Sequence, residues 1–192
     1  MKKVIMLLAF TAVTCSVYAQ SSTFAMSGSR KEARKERHER KITLRELKSS
    51  EVSFQSKQAF DRDFDHTTNM VWTHDVYFDK VSFLNEKGMP MSAYYDYDAK
   101  LVGTTAPAKF TDLPVAAQKD IAKHFSNYEK APVVFFDDNE ANETDMILYG
   151  MQFEDADNYF IELKDKKNQP VVLRVDMLGN VEFFAEMSDI KF

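Results

Sequence analysis

One histidine and two aspartates lie close together in the segment VWTHDVYFDKVSF, residues 71–83, where His74-Asp75 is followed by Asp79. A histidine beside carboxylates can bind a metal ion or serve in acid–base catalysis. The same spacing also fits a β-hairpin, because Asp and His tolerate turn geometry. Strand alternation favours the hairpin, since an unbroken strand in phase with Val81 and Phe83 would place Asp75 and Asp79 inside and Trp72 outside. A break at His74-Asp75 corrects the placement of Asp75 and Trp72. We therefore predict a turn at His74-Asp75.

The segment DRDFDH places Asp61, Asp63 and Asp65 at the alternate spacing that opens a calcium-binding loop. Such a loop needs glycine at its sixth position and a bidentate glutamate at its twelfth, where this chain has His66 and Trp72. The polar side of a helix therefore explains this spacing better than a calcium site does.

A second acidic segment, DDNEANETD at 137–145, contains five carboxylates that could converge on a hard cation: Asp137, Asp138, Glu140, Glu143 and Asp145. It also lacks the glycine and the final glutamate of a calcium loop, which favours a solvated loop. We keep a cation-binding or ligand-carrying role for this segment as the alternative function.

Signatures of catalysis are missing from the sequence. His38-Glu39 is not followed by the second histidine of a zinc-binding helix, and there is no G-x-S-x-G segment or phosphate-binding glycine loop. The chain has five glycines and four histidines, and the histidines fall in separate predicted elements. We expect no enzyme and no cofactor.

Residues 1–19 predict a secretory signal, because two lysines precede an apolar run at 4–13 and a cleavage site follows Ala19. The run is shorter than the roughly 20 residues that span a bilayer. Lipidation at Cys15 is the competing interpretation, but Thr14 and Ala12 depart from the residues usual before a lipidated cysteine. We expect a periplasmic or secreted protein without a transmembrane segment.

Charge divides the rest of the chain into a basic arm and an acidic body. Residues 20–50 carry nine Lys or Arg and four Glu, a net charge of +5, whereas residues 51–192 carry −12. Such an arm can contact an anionic surface electrostatically. We favour a flexible or partly helical tether in solvent, because no aromatic residues lie among its basic residues for stacking on nucleic-acid bases. No nucleic-acid partner is expected.

Beyond the arm the chain repeats itself. Residues 54–72 align with 115–133 at an offset of 61, so that Phe60 corresponds to Ile121. Both segments predict helices, because each has a stripe of residues that recurs every four positions: Ser56, Phe60 and Phe64, and Ala117, Ile121 and Phe125. Pro114 marks the start of the second helix, and Ser50 or Ser53 caps the first.

The alignment continues at an offset of 80, where KGMPMSAYYDYDAKLVG (87–103) lies over KNQPVVLRVDMLGNVEF (167–183). The change of offset marks an insertion in the second copy, within the segment 137–155. Alternation in the aligned segments predicts strands that turn Ala93, Tyr95, Leu173 and Val175 towards the helices and Tyr94 and Arg174 away from them. The expected fold is α+β, with two tandem helix-plus-antiparallel-sheet units at 51–106 and 107–192. Both helices pack on one sheet face, which leaves the other free.

These residues resemble the periplasmic PepSY-like family, which is also described as similar to the β-lactamase-inhibitor protein fold. The resemblance rests on a helix opened by Leu-Pro, a Trp-bearing strand, and a tyrosine followed by a D-x-D-G turn. Here Tyr95-Asp96-Tyr97-Asp98 is followed by Ala99 instead of glycine, whereas the second copy keeps Gly179. The resemblance covers residues 51–190 and implies a secreted protein without catalysis that binds or inhibits another protein through its sheet. It fixes no site residue.

Aromatic residues are the remaining functional signal. The chain has 16 Phe, 8 Tyr and one Trp, and exposed aromatics are frequent anchors of protein interfaces. We predict that Tyr94, Tyr97, Phe184 and Arg174 contact an envelope protein or peptide through the helix-free sheet face. The alternative is that the two units, or two molecules of the protein, pack these aromatics against each other.

Overall fold

The structure is a computed structural model that describes residues 35–37, 40 and 51–187. The predictions for the signal peptide, for most of the arm and for residues 188–192 lie outside the described residues. Within the arm, the described residues 35–37 and 40 are helical and exposed. No helix among the described residues is long and apolar enough to cross a membrane.

Residues 51–187 form two α-helices and ten strands. The helices are α1 (Phe54–Asp63) and α2 (Val115–His124). The strands are β1 (Thr68–His74), β2 (Asp79–Leu84), β3 (Pro90–Tyr95), β4 (Leu101–Ala108), β5 (Val133–Asp138), β6 (Met146–Leu148), β7 (Met151–Phe153), β8 (Asn158–Lys164), β9 (Pro170–Asp176) and β10 (Val181–Glu186).

Eight of the strands form one antiparallel sheet in the order β1-β2-β3-β4-β5-β8-β9-β10, while β6 and β7 pair only with each other. We call residues 51–108, with α1 and β1–β4, the first half, and residues 109–187, with α2 and the later strands, the second half. The two halves are joined within the sheet where β4 pairs with β5. The predicted α+β class with antiparallel strands is confirmed, with eight strands in one large sheet; the division into two tandem units stays a prediction.

Both helices lie on the same face of the sheet, as their buried stripes predict. Phe60 of α1 and Ile121 of α2 are both buried. Phe60 packs in a core with Val81, Ala93 and Tyr95. Ile121 packs in a second core with Val133, Ile161, Leu173 and Val175. Ser53 is the cap of α1, because its Oγ accepts a hydrogen bond from the N–H of Ser56 at 3.0 Å.

The opposite face of the sheet, the helix-free face, is not free in the second half. The insertion forms a hairpin of β6 and β7, hereafter the insertion hairpin, which turns at Tyr149-Gly150 with φ of 51° and 73°. Its Met146 and Phe153 are buried in a third core with sheet residues such as Phe136 and Phe160. The prediction that this face is left open for a partner is therefore wrong where the hairpin covers it.

Tight turns follow β3 and β9 at the positions that resemble the D-x-D-G segment, with Ala99 in place of glycine in the first and Leu178 in place of the second aspartate in the second. Oδ1 of Asp96 accepts hydrogen bonds from the N–H groups of Asp98 and Lys100 at 2.8 and 3.0 Å. Asp176 makes the same two bonds at 2.9 and 2.8 Å. The fourth turn residue has a left-handed backbone in both turns, with φ of 56° at Ala99 and 89° at Gly179. Ala99 therefore adopts a conformation that costs a non-glycine residue energy.

Candidate functional site

His74 and Asp79, the first candidates for chemistry, are in contact at the end of the β1–β2 hairpin. Nδ1 of His74 lies 2.5 Å from Oδ1 of Asp79, and the Asp79 side chain is 1% exposed. The turn itself is made by Asp75, whose Oδ1 accepts hydrogen bonds from the N–H groups of Tyr77 and Phe78. The predicted turn is confirmed at Asp75, but His74 is the last residue of β1 and points inward.

Asp79 also binds the start of α1. Its Oδ2 accepts hydrogen bonds from Oγ of Ser56 at 2.6 Å and from the N–H of Ser53 at 3.2 Å. Ser56, His74 and Asp79 thus lie together, but Ser56 and His74 each bind Asp79. In a catalytic triad the histidine instead takes the proton of the serine, and a buried Ser56 does not meet substrate. The cluster joins the helix to the hairpin.

Tyr94 and Phe184, two predicted partner contacts, belong to the core under the insertion hairpin. Tyr94 is 7% exposed, and its ring meets that of Phe78 edge-on at 6.1 Å between centroids. Phe184 is half-buried and packs against the rings of Phe153 and Phe160 at 5.8 and 4.9 Å. The predicted exposure of Tyr94 is therefore wrong. The alternation in β3 shows on which face of the sheet Tyr94 lies, but it does not show that other residues cover that face.

Tyr97 lies half-buried in the turn after β3, next to a loop of the insertion. Asn142 of that loop donates hydrogen bonds from Nδ2 to the carbonyl oxygen of Leu101 at 3.0 Å and to Asp96 at 3.3 Å. The insertion thus packs on the first half through this loop as well as on the second half through its hairpin.

Arg174, the fourth predicted contact, lies in a cleft of about 670 Å³ at the end of the second half. Its Nη2 is 2.7 Å from Oε2 of Glu182. The other side chains that line this acidic cleft are mostly carboxylates, including Asp138, Glu140, Glu154, Asp155, Asp157 and Asp176.

The cleft changes the acidity of two of its carboxyl groups in opposite directions. Burial, followed by the negative charge of nearby Asp155, raises the pKa of Asp138 to about 7. The side-chain and backbone hydrogen bonds of Asn180 hold the pKa of Asp176 below its usual range. Asp138 therefore titrates near neutral pH, while Asp176 stays ionised there.

The five carboxylates of the alternative cation site do not form a metal cluster. The residues that the structure describes contain no group of three or more His, Cys, Asp or Glu side chains placed to hold a metal ion. Asp137 and Asp138 are consecutive residues of β5 and so point to opposite faces of the sheet. Oδ2 of Asp145 instead accepts a hydrogen bond from Nε2 of Gln152 at 2.7 Å.

Near the β2–β3 turn, in the first half, no described residue covers the helix-free face. The sheet surface there forms an open groove of about 410 Å³. The groove is lined by apolar and hydroxyl side chains of the first half, Leu84, Pro107, Ser82, Ser92 and Thr105, and at its edge by Val134 of β5 in the second half. At its margin Val71, which lies opposite Ser82 in the sheet, is 61% exposed. This combination of apolar surface and a few hydroxyl groups is suited to contact with another chain.

Comparison with known proteins supports the fold. No protein-family model and no curated protein matches this chain. Solved structures are similar to it: a BLIP-like protein from Bacteroides fragilis NCTC 9343 has 13% identity and a TM-score of 0.51, over 75% of this chain and 92% of that chain. A DUF2874 family protein from Bacteroides ovatus ATCC 8483 has 10% identity and a TM-score of 0.55, over 74% and 92%.

A third similar structure is that of a Bacteroides eggerthii DSM 20697 protein assigned provisionally to the periplasm, with 13% identity and a TM-score of 0.53, over 71% of this chain and 89% of that chain. At these identities the likeness concerns the fold. It agrees with the BLIP-like part of the resemblance found in the sequence.

Sequence reasoning missed the open groove and the anchors of the insertion hairpin. The groove has no sequence signal, because Ser82, Ser92 and Thr105 are brought together only by strand pairing. The hairpin has one: Tyr149-Gly150 lies between two short segments that each carry apolar residues, MIL and MQF, and the second residue of a two-residue hairpin turn is often glycine. The acidic residues before it favoured a solvated loop instead.

Proposed function

We propose that this chain is a secreted or periplasmic, non-enzymatic module that binds a protein or peptide through the open groove of the first half. The observation that carries the proposal is the unequal covering of the helix-free face. The insertion hairpin fills this face in the second half with the side chains of Met146 and Phe153, while the described residues of the first half offer an uncovered surface of the same sheet.

The groove has the composition of an interface centre. Leu84 and Val134 provide apolar contact, and Ser82 and Ser92, whose Oγ atoms are 3.0 Å apart, provide hydrogen-bonding groups. Among the described residues, no charged side chain lines it, and interface centres are depleted in charge. The proposal also treats the two halves as copies of one PepSY-like unit. In the second copy the insertion hairpin covers the helix-free face, whereas in the first copy this face stays open.

The secreted location rests on the predicted signal with cleavage after Ala19, and the absence of catalysis rests on the arrangement of Ser56, His74 and Asp79. The basic arm, residues 20–50, adds an electrostatic contact with an anionic surface.

Site-specific photocrosslinking tests the proposal. A photoreactive residue replaces Ser82 or Ser92 in the groove, and, as the matched control, Ser126, which is exposed after α2 on the helix side. We expect the two groove positions to give the same discrete crosslinked species with envelope material, and the control position to give none. The species should disappear in a chain that also carries Val71→Arg, because a bulky charge at the margin of the groove obstructs an apolar partner.

Equal crosslinking from Ser126 and from the groove would overturn the proposal, as would groove crosslinks that Val71→Arg leaves unchanged. Calorimetry with calcium addresses the alternative function: heat of binding at millimolar calcium that Asp138→Asn abolishes would favour a cation-binding role instead.

A further inference from the structure

We propose that the open groove of the first half binds the tip of a β-hairpin from a partner protein, and that this tip carries an aromatic side chain with a hydrogen-bond donor at its end. This inference rests on the proposed function and adds to it the kind of partner that the groove accepts. The insertion hairpin of the second half is its internal precedent, because it lies on the equivalent part of the sheet.

The floor of the groove has a counterpart under the insertion hairpin. The floor consists of one hydroxyl residue from each of three neighbouring strands, paired in the order Ser82, Ser92 and Thr105. The repeat offset of 80 converts them to one residue on each of β8, β9 and β10: Glu162, Val172 and Ala185. These three residues lie opposite one another in the same way. Strand pairing therefore supports the equivalence independently of the sequence alignment.

In the second half, a hairpin lies on this counterpart. Val172 and Ala185 are buried in one core with residues from both strands of the insertion hairpin. At the hairpin tip, the hydroxyl of Tyr149 donates a hydrogen bond to Oε1 of Glu162 at 2.9 Å. The tip thus reaches the position that corresponds to Ser82 in the groove.

The first half cannot supply such a hairpin from the equivalent connection. The insertion hairpin lies within residues 139–157, which join β5 to β8, whereas residues 75–78 alone join β1 to β2. A turn of that length has no room for two further strands. The basic arm at 20–50 does not match the groove either, because no carboxylate lines the groove among the described residues. We therefore assign the hairpin to another protein.

The hydroxyl floor determines which side chain the tip must present. Oγ of Ser82 and Oγ of Ser92 share one hydrogen bond at 3.0 Å. A hydroxyl group donates one hydrogen bond and accepts two, so this pair keeps more acceptor than donor capacity. A side chain that ends in a donor, as Tyr149 does, uses this capacity. An apolar tip would instead desolvate the hydroxyl groups without giving them a new partner.

The walls of the groove fit the ring of such a side chain. Three apolar residues line it: Leu84, Pro107 and Val134. In the second half, the ring of Tyr149 also has apolar neighbours, with ring centroids 6.0 Å from Phe160 and 6.5 Å from Phe184. An aromatic ring with a polar end therefore matches apolar walls above a hydroxyl floor.

Binding of a hairpin probe to the purified protein tests the inference. The probe is the peptide MILYGMQF, residues 146–153, cyclised and carrying Met146→Thr and Phe153→Thr. These two anchors pack in a core of aromatic rings, whereas the corresponding positions of the first half include Asp75 and Lys80. The tip of the probe, with its tyrosine, is unchanged.

We expect the probe to bind saturably, with a Kd below about 1 mM, and to shift the backbone amide signals of Ser82 and Ser92 in NMR spectra but not that of Ser126. The linear peptide should bind about tenfold less tightly, because cyclisation pre-organises the hairpin. A probe with Tyr149→Phe should lose about fivefold in affinity, the effect of one hydrogen bond. Val71→Arg in the protein, at the margin of the groove, should abolish binding.

The contrary results separate this inference from the proposed function. Equal affinity of the linear and cyclised probes would favour an extended peptide over a hairpin, and no loss with Tyr149→Phe would contradict the donor at the tip. Failure of every hairpin probe, while Ser82 and Ser92 still give photocrosslinks to a partner, would overturn the hairpin inference alone. Failure of the probes and of the photocrosslinks, or groove crosslinks to the arm of the same chain, would overturn both.

Discussion

The two halves of the molecule have different kinds of side chain at equivalent positions on the helix side of the sheet: a polar cluster in the first half and an aromatic pair in the second. At the end of β1 in the first half, His74 pairs with Asp79, and Asp79 binds Ser56 of α1. The repeat offsets convert this trio to Phe135, Tyr159 and Ala117 in the second half. There Phe135 again lies opposite Tyr159, with ring centroids 4.7 Å apart.

This replacement of a polar cluster by an aromatic pair shows what the cluster does. Both arrangements lie on the helix side of the sheet, although only the first contains a carboxylate and an imidazole. Because the second half has an aromatic pair and an alanine at the same positions, packing there requires neither a carboxylate nor a histidine. The comparison favours a structural role for the Ser56–Asp79–His74 cluster.

Removal of the central carboxylate should have the largest effect. Asp79→Ala leaves the N–H of Ser53, the hydroxyl of Ser56 and the imidazole of His74 without their acceptor. Breaking a buried charged network from one side costs about 3–5 kcal/mol, and we expect a loss of that order in the free energy of unfolding, measured by urea denaturation. The control is Asp75→Ala in the exposed turn, with a loss of about 1 kcal/mol for two turn hydrogen bonds.

A variant in which the first half carries the residues of the second half tests whether the two arrangements are interchangeable. The variant Ser53→Pro/Ser56→Ala/His74→Phe/Asp79→Tyr removes the three donors described above together with their acceptor. It should therefore be more stable than Asp79→Ala alone, as replacement of a whole buried polar cluster often is. A quadruple variant less stable than Asp79→Ala would show that the two halves are not interchangeable at this position.

Phe153→Ala tests the second difference, the insertion hairpin. The ring of Phe153 meets those of Phe136 and Phe160 at 5.2 and 5.0 Å. Truncation of a buried phenylalanine costs about 3 kcal/mol or more, so we expect a loss of that size and faster hydrogen exchange in β6 and β7. Met151→Ala, an exposed position on the same strand, should change the free energy of unfolding by less than about 0.5 kcal/mol. Equal effects of the two variants would mean that the hairpin is not part of the core.

The acidic cleft, which among the described residues belongs to the second half, should make stability depend on pH. The folded state raises the pKa of Asp138 to about 7, above its value in the unfolded chain, so the native state holds this proton more tightly. The stabilisation is complete below about pH 4 and is lost as the pH rises through about 7. We expect the Tm of the wild type to fall over this window.

Asp138→Asn should flatten that profile, because an amide of the same shape cannot ionise. Asp176→Asn is the matched control, because Asp176 should affect stability in the opposite direction. The pKa of Asp176 is lowered by Asn180, so its contribution to stability is present above the pKa of the unfolded chain and is lost as the pH falls. A Tm profile of Asp138→Asn that still falls between pH 4 and 7 would assign the effect to other carboxyl groups of the cleft.

Local periodicity predicted the parts of this fold that depend on neighbouring residues. The stripes of Phe60 and Ile121 and the alternation of Ala93 and Tyr95 were sufficient, because they report which side of an element is buried. The side that Tyr94 faces was also predicted, but not its burial. That burial comes from Phe78 in the β1–β2 turn and from a hairpin in the other half of the chain, and such distant contacts leave no periodic signal.

The smallest effect concerns the left-handed turn position, where the first half has Ala99 and the second half has Gly179. Ala99 has a left-handed backbone, with φ of 56°, and glycine adopts this region freely. Ala99→Gly should therefore raise the free energy of unfolding by about 0.5–1 kcal/mol, the relief of strain less the entropy that glycine adds to the unfolded chain.

The reciprocal change in the second half should lower the free energy of unfolding, and by slightly more than Ala99→Gly raises it. Gly179 has φ of 89°, and a Cβ added there would lie 3.1 Å from the Cβ atoms of Ala116 and Pro114. Gly179→Ala thus combines backbone strain with a close approach to the start of α2, and we expect a loss of about 1–2 kcal/mol. If both substitutions destabilise the protein, the left-handed turn is not what limits Ala99, and its methyl group must contribute packing that glycine removes.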